Sequence, residues 1–337
     1  MTSTTNRKSR LSSLWNFIKI ILALALVLYV LSRSEPSKLI SALQNASLLW
    51  LLISGVLYLL LTLLKALQYS VLMRGKLTYP QVLNVIIWQN AVSNFFLAGA
   101  GVAAYITLAR LEHEVKISRS VTSFILTKIG DLIAIWLVLI LSGRMVWSEI
   151  GVLHTPVILL IAGIGFVILI FFLTILFRQR FVLLVGKTLK WSKLSKIKLF
   201  EDGMNYLQGL ANMEQNKVLT TFGMLLLYSF LYLAVTICFI YANLAIFHVQ
   251  PPVPAVMFVS VLIQLVSYFP VGVFGGLGIT ETSALYFWSF FNISQELLAA
   301  ALIGIRIIFY LFNLIPLIYL PLYSAFRKPK EQAQNEQ

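Results

Sequence analysis

Four ionisable side chains, Lys128, Asp131, Glu281 and Arg306, sit inside stretches otherwise apolar enough to cross a bilayer. A charge at that depth costs on the order of a few kcal/mol unless it is paired or hydrated, so each is a candidate for function. Lys128 and Asp131 are three positions apart, on one helical face and able to pair. A helix-packing ion pair explains them as well as a transport role does. Glu281 follows Gly278 in the first turn of what reads as a half-helix, where the dipole favours a carboxylate. Stabilising that helix end is an equally complete explanation. Arg306 closes the run Ala299-Ala300-Ala301-Leu302-Ile303-Gly304-Ile305-Arg306, and Glu281 is the acid of that half near enough to partner it. A guanidinium engages a carboxylate or a lipid phosphate bidentately. Phosphate is preferred, because the chain also breaks at Gly275, Gly276 and Gly278 and turns backbone N–H groups towards the membrane interior. The candidate set for holding a lipid headgroup is Lys128, Asp131, Gly275, Gly276, Gly278, Glu281 and Arg306.

Other chemistry finds little support. His113, His154 and His248 lack metal-ligand spacing. Cys238, the only cysteine, lies in an apolar run and reads as a small buried hydrophobe. No phosphate-binding glycine motif occurs between a strand and a helix. The expectation is no catalytic residue, no metal and no cofactor.

These side chains must be positioned by membrane helices. Hydrophobic residues make up 59% of the 337, charged residues only 11%, and the formal net charge is +14. A basic nucleic-acid domain would concentrate that charge on a soluble face, and no stretch is long enough to build one. Apolar runs fall at about 17–31, 48–72, 82–108, 121–142, 156–177, 218–247, 254–291 and 297–326. The first follows Arg7, Lys8 and Arg10 but ends in a poor cleavage site, so it reads as a retained helix.

Short basic loops stay cytoplasmic. Basic clusters flank the 82–108 run on both sides, in 65–76 and 110–119, so that run must enter the membrane and return, with Gly99 and Gly101 at the reversal. The 254–291 run has no Lys or Arg in either flank and is broken by Pro270, Gly272, Gly275, Gly276 and Gly278, so it returns from the other face. Each half of the chain then reads as two spans, a broken hairpin and one more span, in opposite orientations. That is an inverted repeat.

The run Phe269-Pro270-Val271-Gly272-Val273-Phe274-Gly275-Gly276-Leu277-Gly278-Ile279-Thr280-Glu281, then Asn292-Ile293-Ser294-Gln295-Glu296 and Arg306, resembles the lysylphosphatidylglycerol synthase transmembrane region, a flippase-like family. The likeness spans about 15–326. In the first half it rests on Asn94 and on Lys128-Ile129-Gly130-Asp131, where the family tends to carry Arg-x-x-Asp. Thr280 stands where the family often has Arg, and the first break lacks the family's Pro and acid. No aminoacyl-transferase domain is expected after the last span, so the resemblance implies the lipid-translocating part without synthase activity.

The expected architecture is all-α and polytopic: about six full spans plus two broken re-entrant hairpins in an inverted repeat, with both termini cytoplasmic. Residues 1–16 form an N-terminal tail, 17–326 the transmembrane domain, in halves of about 17–142 and 156–326, and 327–337 a C-terminal tail. The expected function is moving an anionic phospholipid or lipid-linked headgroup between leaflets of a bacterial inner membrane. A membrane-embedded transferase, or a membrane partner of a lipid-modifying enzyme such as a lysylphosphatidylglycerol synthase or glycosyltransferase, is the alternative. Membrane lipids are the expected partners and nucleic acid is not. The basic loop 178–217, with Lys187, Lys190, Lys193 and Lys196 around Trp191, suits anionic headgroups or a partner enzyme.

Overall fold

The computed structural model of the chain describes residues 44–96, 98–176, 215–268 and 276–323. Among them the ordered elements are helices, as hydrocarbon demands when every backbone N–H and C=O needs a partner within its own segment. In chain order these are α1 (Leu48–Leu72), α2 (Tyr79–Phe95), α3 (Ala98–Leu111), α4 (Ile117–Met145), α5 (His154–Leu176), α6 (Gln215–Ile246), α7 (Val253–Ser267), α8 (Ile279–Trp288) and α9 (Gln295–Leu314). Five stretches among the described residues are long and apolar enough to span a membrane. They are α1, α4, Gly151–Leu173 with α5 as its body, Leu219–Ile246 of α6, and Gln295–Tyr323, which carries α9 on through the 3-10 turn Pro316–Ile318. All five fall on runs expected to span, which makes the chain a multi-pass membrane protein. The expected span at 17–31, both tails and the loop 178–217 lie outside the described residues.

The two remaining apolar runs are broken, as the sequence suggested, but the first breaks by a different device. The chain reverses between Phe95 and Ala98, and Gly99 and Gly101 lie inside the helix that follows. Gly101 is there for packing. A Cβ on it would sit 2.7 Å from Ser93 Cβ and 2.8 Å from the Gln89 carbonyl oxygen, so only glycine lets α3 run back against α2 this closely. At the far ends of the same two helices Asn84 Nδ2 donates to Glu112 Oε2 at 3.3 Å. Beside them the Arg119 guanidinium donates to the carbonyls of Arg74 (2.9 Å) and Leu72 (3.4 Å). The basic turns after α1 and before α4 therefore lie together, as a segment that enters and returns requires.

In the second broken run α7 ends at Ser267 and α8 begins at Ile279. Gly276 and Gly278 lead into α8 at φ of +84° and +83°, a left-handed conformation that glycine alone adopts freely. Pro270, Gly272 and Gly275 lie outside the described residues. After α8, Asn292 takes φ +53° to end a short 3-10 turn, and Ser294 Oγ caps α9 by accepting from Leu297 N–H.

The chain divides into two compact units built from discontinuous stretches. The first comprises the described parts of 1–59, 87–103 and 237–337, with both reversals and α9; the second comprises those of 60–86 and 104–236, with α4 and α5. In the first, small residues on the buried face of α9 (Ala299, Ala300, Ala301, Gly304) admit neighbours closely, and the Phe247 ring occupies the space a Cβ on Gly304 would need. In the second, α4 buries a stripe of Ser120, Ser123, Thr127, Gly130 and Ala134, and Trp136 Nε1 donates to the Ile161 carbonyl of α5 at 2.8 Å. Cys238 corrects the sequence reading. It is exposed, on a helix that also exposes Leu227 and Leu231, an apolar face suited to lipid tails rather than to a protein core.

Candidate functional site

In the first unit the site is built from the start of α8. Gly278 is the N-cap and Glu281 the third helical residue, so the carboxylate folds back and Oε2 accepts from Gly278 N–H at 2.7 Å. The other oxygen, Oε1, faces Arg306 Nε at 3.1 Å, with the Glu281 side chain 9% exposed and that of Arg306 12%. One carboxylate thus caps a helix and faces a buried cation. The guanidinium also lies over the rings of Tyr310 (5.3 Å) and Phe309 (5.6 Å).

The first reversal reaches the same helix. Phe95, the last residue of α2, stacks on Tyr310 with centroids 5.9 Å apart. Asn94 Nδ2 and Tyr58 O–H each donate to Asn313 Oδ1 at 2.6 Å, and Asn313 Nδ2 donates to the Phe309 carbonyl at 2.7 Å. Both breaks in the chain therefore converge on two turns of α9 between Arg306 and Asn313. That assembly offers one guanidinium, one carboxylate, two amides, two phenols and the glycine-rich entrance to α8.

A separate charged cluster occupies the second unit. Asp131 on α4 accepts from Lys65 Nζ through Oδ2 at 2.7 Å and from Gln68 Nε2 through Oδ1 at 2.8 Å, both from α1. Gln68 Nε2 also reaches Ser229 Oγ on α6 at 2.6 Å, and Lys65 Nζ lies 4.5 Å from the centre of the Tyr232 ring. Gly130 makes the meeting of α4 and α6 possible, since a Cβ there would sit 2.7 Å from Ser229 Oγ.

Sequence reasoning expected Lys128 to pair with Asp131. The close ion pair belongs to Lys65 instead, because α1 crosses α4 at that level, while Lys128 lies over the Phe124 ring at 5.8 Å. Lys65 had been grouped with the basic turn that ends at Lys76. It lies seven residues inside α1, with its side chain 13% exposed. Of the candidates, Gly276, Gly278, Glu281 and Arg306 come together in the first unit, Lys128 and Asp131 in the second, and Gly275 lies outside the described residues. Tyr58, Lys65, Gln68, Ser229 and Asn313 were missed. A polar residue one or two turns from a recognised charge, as Asn313 is from Arg306, is the signal that could have found some of them.

Residues 16–316 match the model of a family described as the lysylphosphatidylglycerol synthase TM region. No curated protein and no solved structure matches the chain.

Proposed function

From the premise that this chain belongs to the lysylphosphatidylglycerol synthase TM region family, we propose that it moves the headgroup of an anionic phospholipid or lipid-linked intermediate between the leaflets of a bacterial cell membrane. The observation that carries the reading is the buried Glu281–Arg306 pair, placed where both chain breaks meet α9. A charged headgroup does not cross hydrocarbon unaided. It crosses where polar groups replace its water, and broken helices are how membrane proteins place such groups at depth.

The geometry suggests how the pair yields to a headgroup. Glu281 holds Gly278 N–H with one oxygen and Arg306 with the other. When a phosphate takes the guanidinium, Glu281 gives up one partner and keeps its helix cap, so the exchange leaves no carboxylate stranded. Phe309 and Tyr310 keep the guanidinium beside an aromatic face throughout. The two hairpins act as inverted halves that open towards opposite leaflets in turn, without covalent chemistry. In proteoliposomes with fluorescent phosphatidylglycerol in both leaflets, the protein should make the inner-leaflet pool accessible to a membrane-impermeant quencher, with the lipid recovered unchanged. Accessibility no greater than in empty vesicles overturns the proposal, and recovery of a modified lipid assigns a transferase instead.

A further inference from the structure

Arg119, Ser123 and Asp131 tie α4 to α1 and to the turn after it. Arg119 donates to the Leu72 and Arg74 carbonyls, Ser123 Oγ lies 3.9 Å from Met73 Sδ, and Asp131 accepts from Lys65 and Gln68. Steps of four follow one row along a helix face, and the remaining member of the row 119, 123, 127, 131 is Thr127. Its side chain is fully buried, and its hydroxyl has no hydrogen-bond partner among the described residues.

Other polar atoms beside this row are in the same condition: Ser120 Oγ, Gln68 Oε1 and Arg119 Nε. Ser120 and Gln68 are fully buried, and Arg119 is half-buried where the row meets the basic turns. Gln68 must face Asp131 with its amide nitrogen, because a carboxylate accepts only, so Oε1 points elsewhere. A buried hydroxyl on a helix can turn back to the carbonyl one turn earlier, and Thr122, Ser123 and Ser142 of α4 do so. Ser120 and Thr127 do not.

A buried polar atom left bare is costly, and internal water is what ordinarily relieves it. The chemistry suits water: Ser120 and Thr127 can donate and accept, Gln68 Oε1 accepts, and Arg119 Nε donates. The spacing suits it too. At 1.5 Å per residue Thr127 lies about 6 Å along the axis from Asp131 and about 10 Å from Ser120, gaps that about one and about three waters close at about 2.8 Å per hydrogen bond.

We propose that the seam between α1 and α4 holds a file of internal water running from Arg119 to the Lys65–Asp131 pair, with Thr127 as its middle link. The file hydrates that pair at depth, which lowers the cost of keeping its charges in the membrane. It stands whether or not the protein moves lipid, since it rests on unpartnered atoms of the second unit and not on Glu281 and Arg306.

The test reads hydration rather than transport. Purified full-length protein in nanodiscs is given a brief X-ray pulse, which makes hydroxyl radicals from water where it is bound, and oxidised side chains are quantified by mass spectrometry. Met73 is the probe, since it is fully buried beside Ser123 and its sulfur oxidises readily. Trp288, equally buried in the first unit and packed against Phe291, is the reference. With each rate scaled to that of the same residue in unfolded protein, Met73 should be labelled severalfold faster than Trp288. Equal scaled rates overturn the file. Thr127→Val should cut Met73 labelling severalfold and Thr127→Ser should keep it, because serine retains the hydroxyl. A packing role predicts the reverse order, since valine keeps the shape of threonine. That reverse order, or equal labelling in the two folded variants, also overturns the file. Should Thr127→Val fail to fold, Ser120→Ala takes its place: reduced Met73 labelling supports the file and labelling at the native rate overturns it.

Discussion

Asn313 shows how much one neutral residue can hold. Its side-chain oxygen takes two donors, from Tyr58 and Asn94, and both Asn313 and Tyr58 are buried. Asn313→Ala should lower stability by about 2–4 kcal/mol, since it strands two donors at about 1–3 kcal/mol each, partly offset by relaxation. Tyr58→Phe should cost only about 1 kcal/mol, and thermal unfolding in detergent compares the two. At Glu281 it is charge that matters. Glu281→Gln leaves Arg306 buried without its counter-ion and should cost about 3–5 kcal/mol, whereas Glu281→Gln combined with Arg306→Met should recover most of the loss. A double variant no more stable than the single one would mean that the pair is not a coupled unit. The Glu281–Arg306 partnership was legible in the sequence because charges in apolar runs are rare and few partners are on offer. Asn313 was not: a neutral amide raises no alarm, and its partners are 255 and 219 positions away. Lys65 was missed for the opposite reason, since neighbouring cations at Arg74 and Lys76 made it look like part of a turn.

At the scale of elements, the re-entrant hairpins depend on glycines used in two different ways. Gly276 and Gly278 supply backbone conformations, while Gly101 supplies room. Gly101→Val should therefore force α2 and α3 apart and destabilise the protein by a few kcal/mol, on the order of other overpacked sites. Gly99→Ala, whose new Cβ meets nothing within 4 Å, should be neutral or stabilising by up to about 1 kcal/mol through helix propensity. Equal effects from the two changes would argue against the close α2–α3 contact. Where the chain broke was legible from glycine content and from the basic flanks. How the first break is made was not, because glycine in a sequence does not say whether it turns the backbone or lets another helix approach, and that depends on Ser93 and Gln89 across the gap.

For the molecule as a whole, the helices place the basic turn at Arg74 against Arg119, so thiols introduced at Lys76 and Lys116 in a Cys238→Ala background should be modified from the same side of the membrane. Modification from opposite sides would break the re-entrant plan. The five described spans were readable from apolar length alone, whereas the grouping of discontinuous stretches into two units was not, because it depends on packing between residues more than a hundred positions apart. The most direct test of the account is lipid movement itself, with Arg306 as the variable. In proteoliposomes of matched protein content, Arg306→Ala should slow the exposure of inner-leaflet phosphatidylglycerol at least about tenfold, and Arg306→Lys should restore part of the rate, as expected when one charge-assisted bond of two survives. A folded Arg306→Ala protein that moves lipid at the native rate would contradict the account.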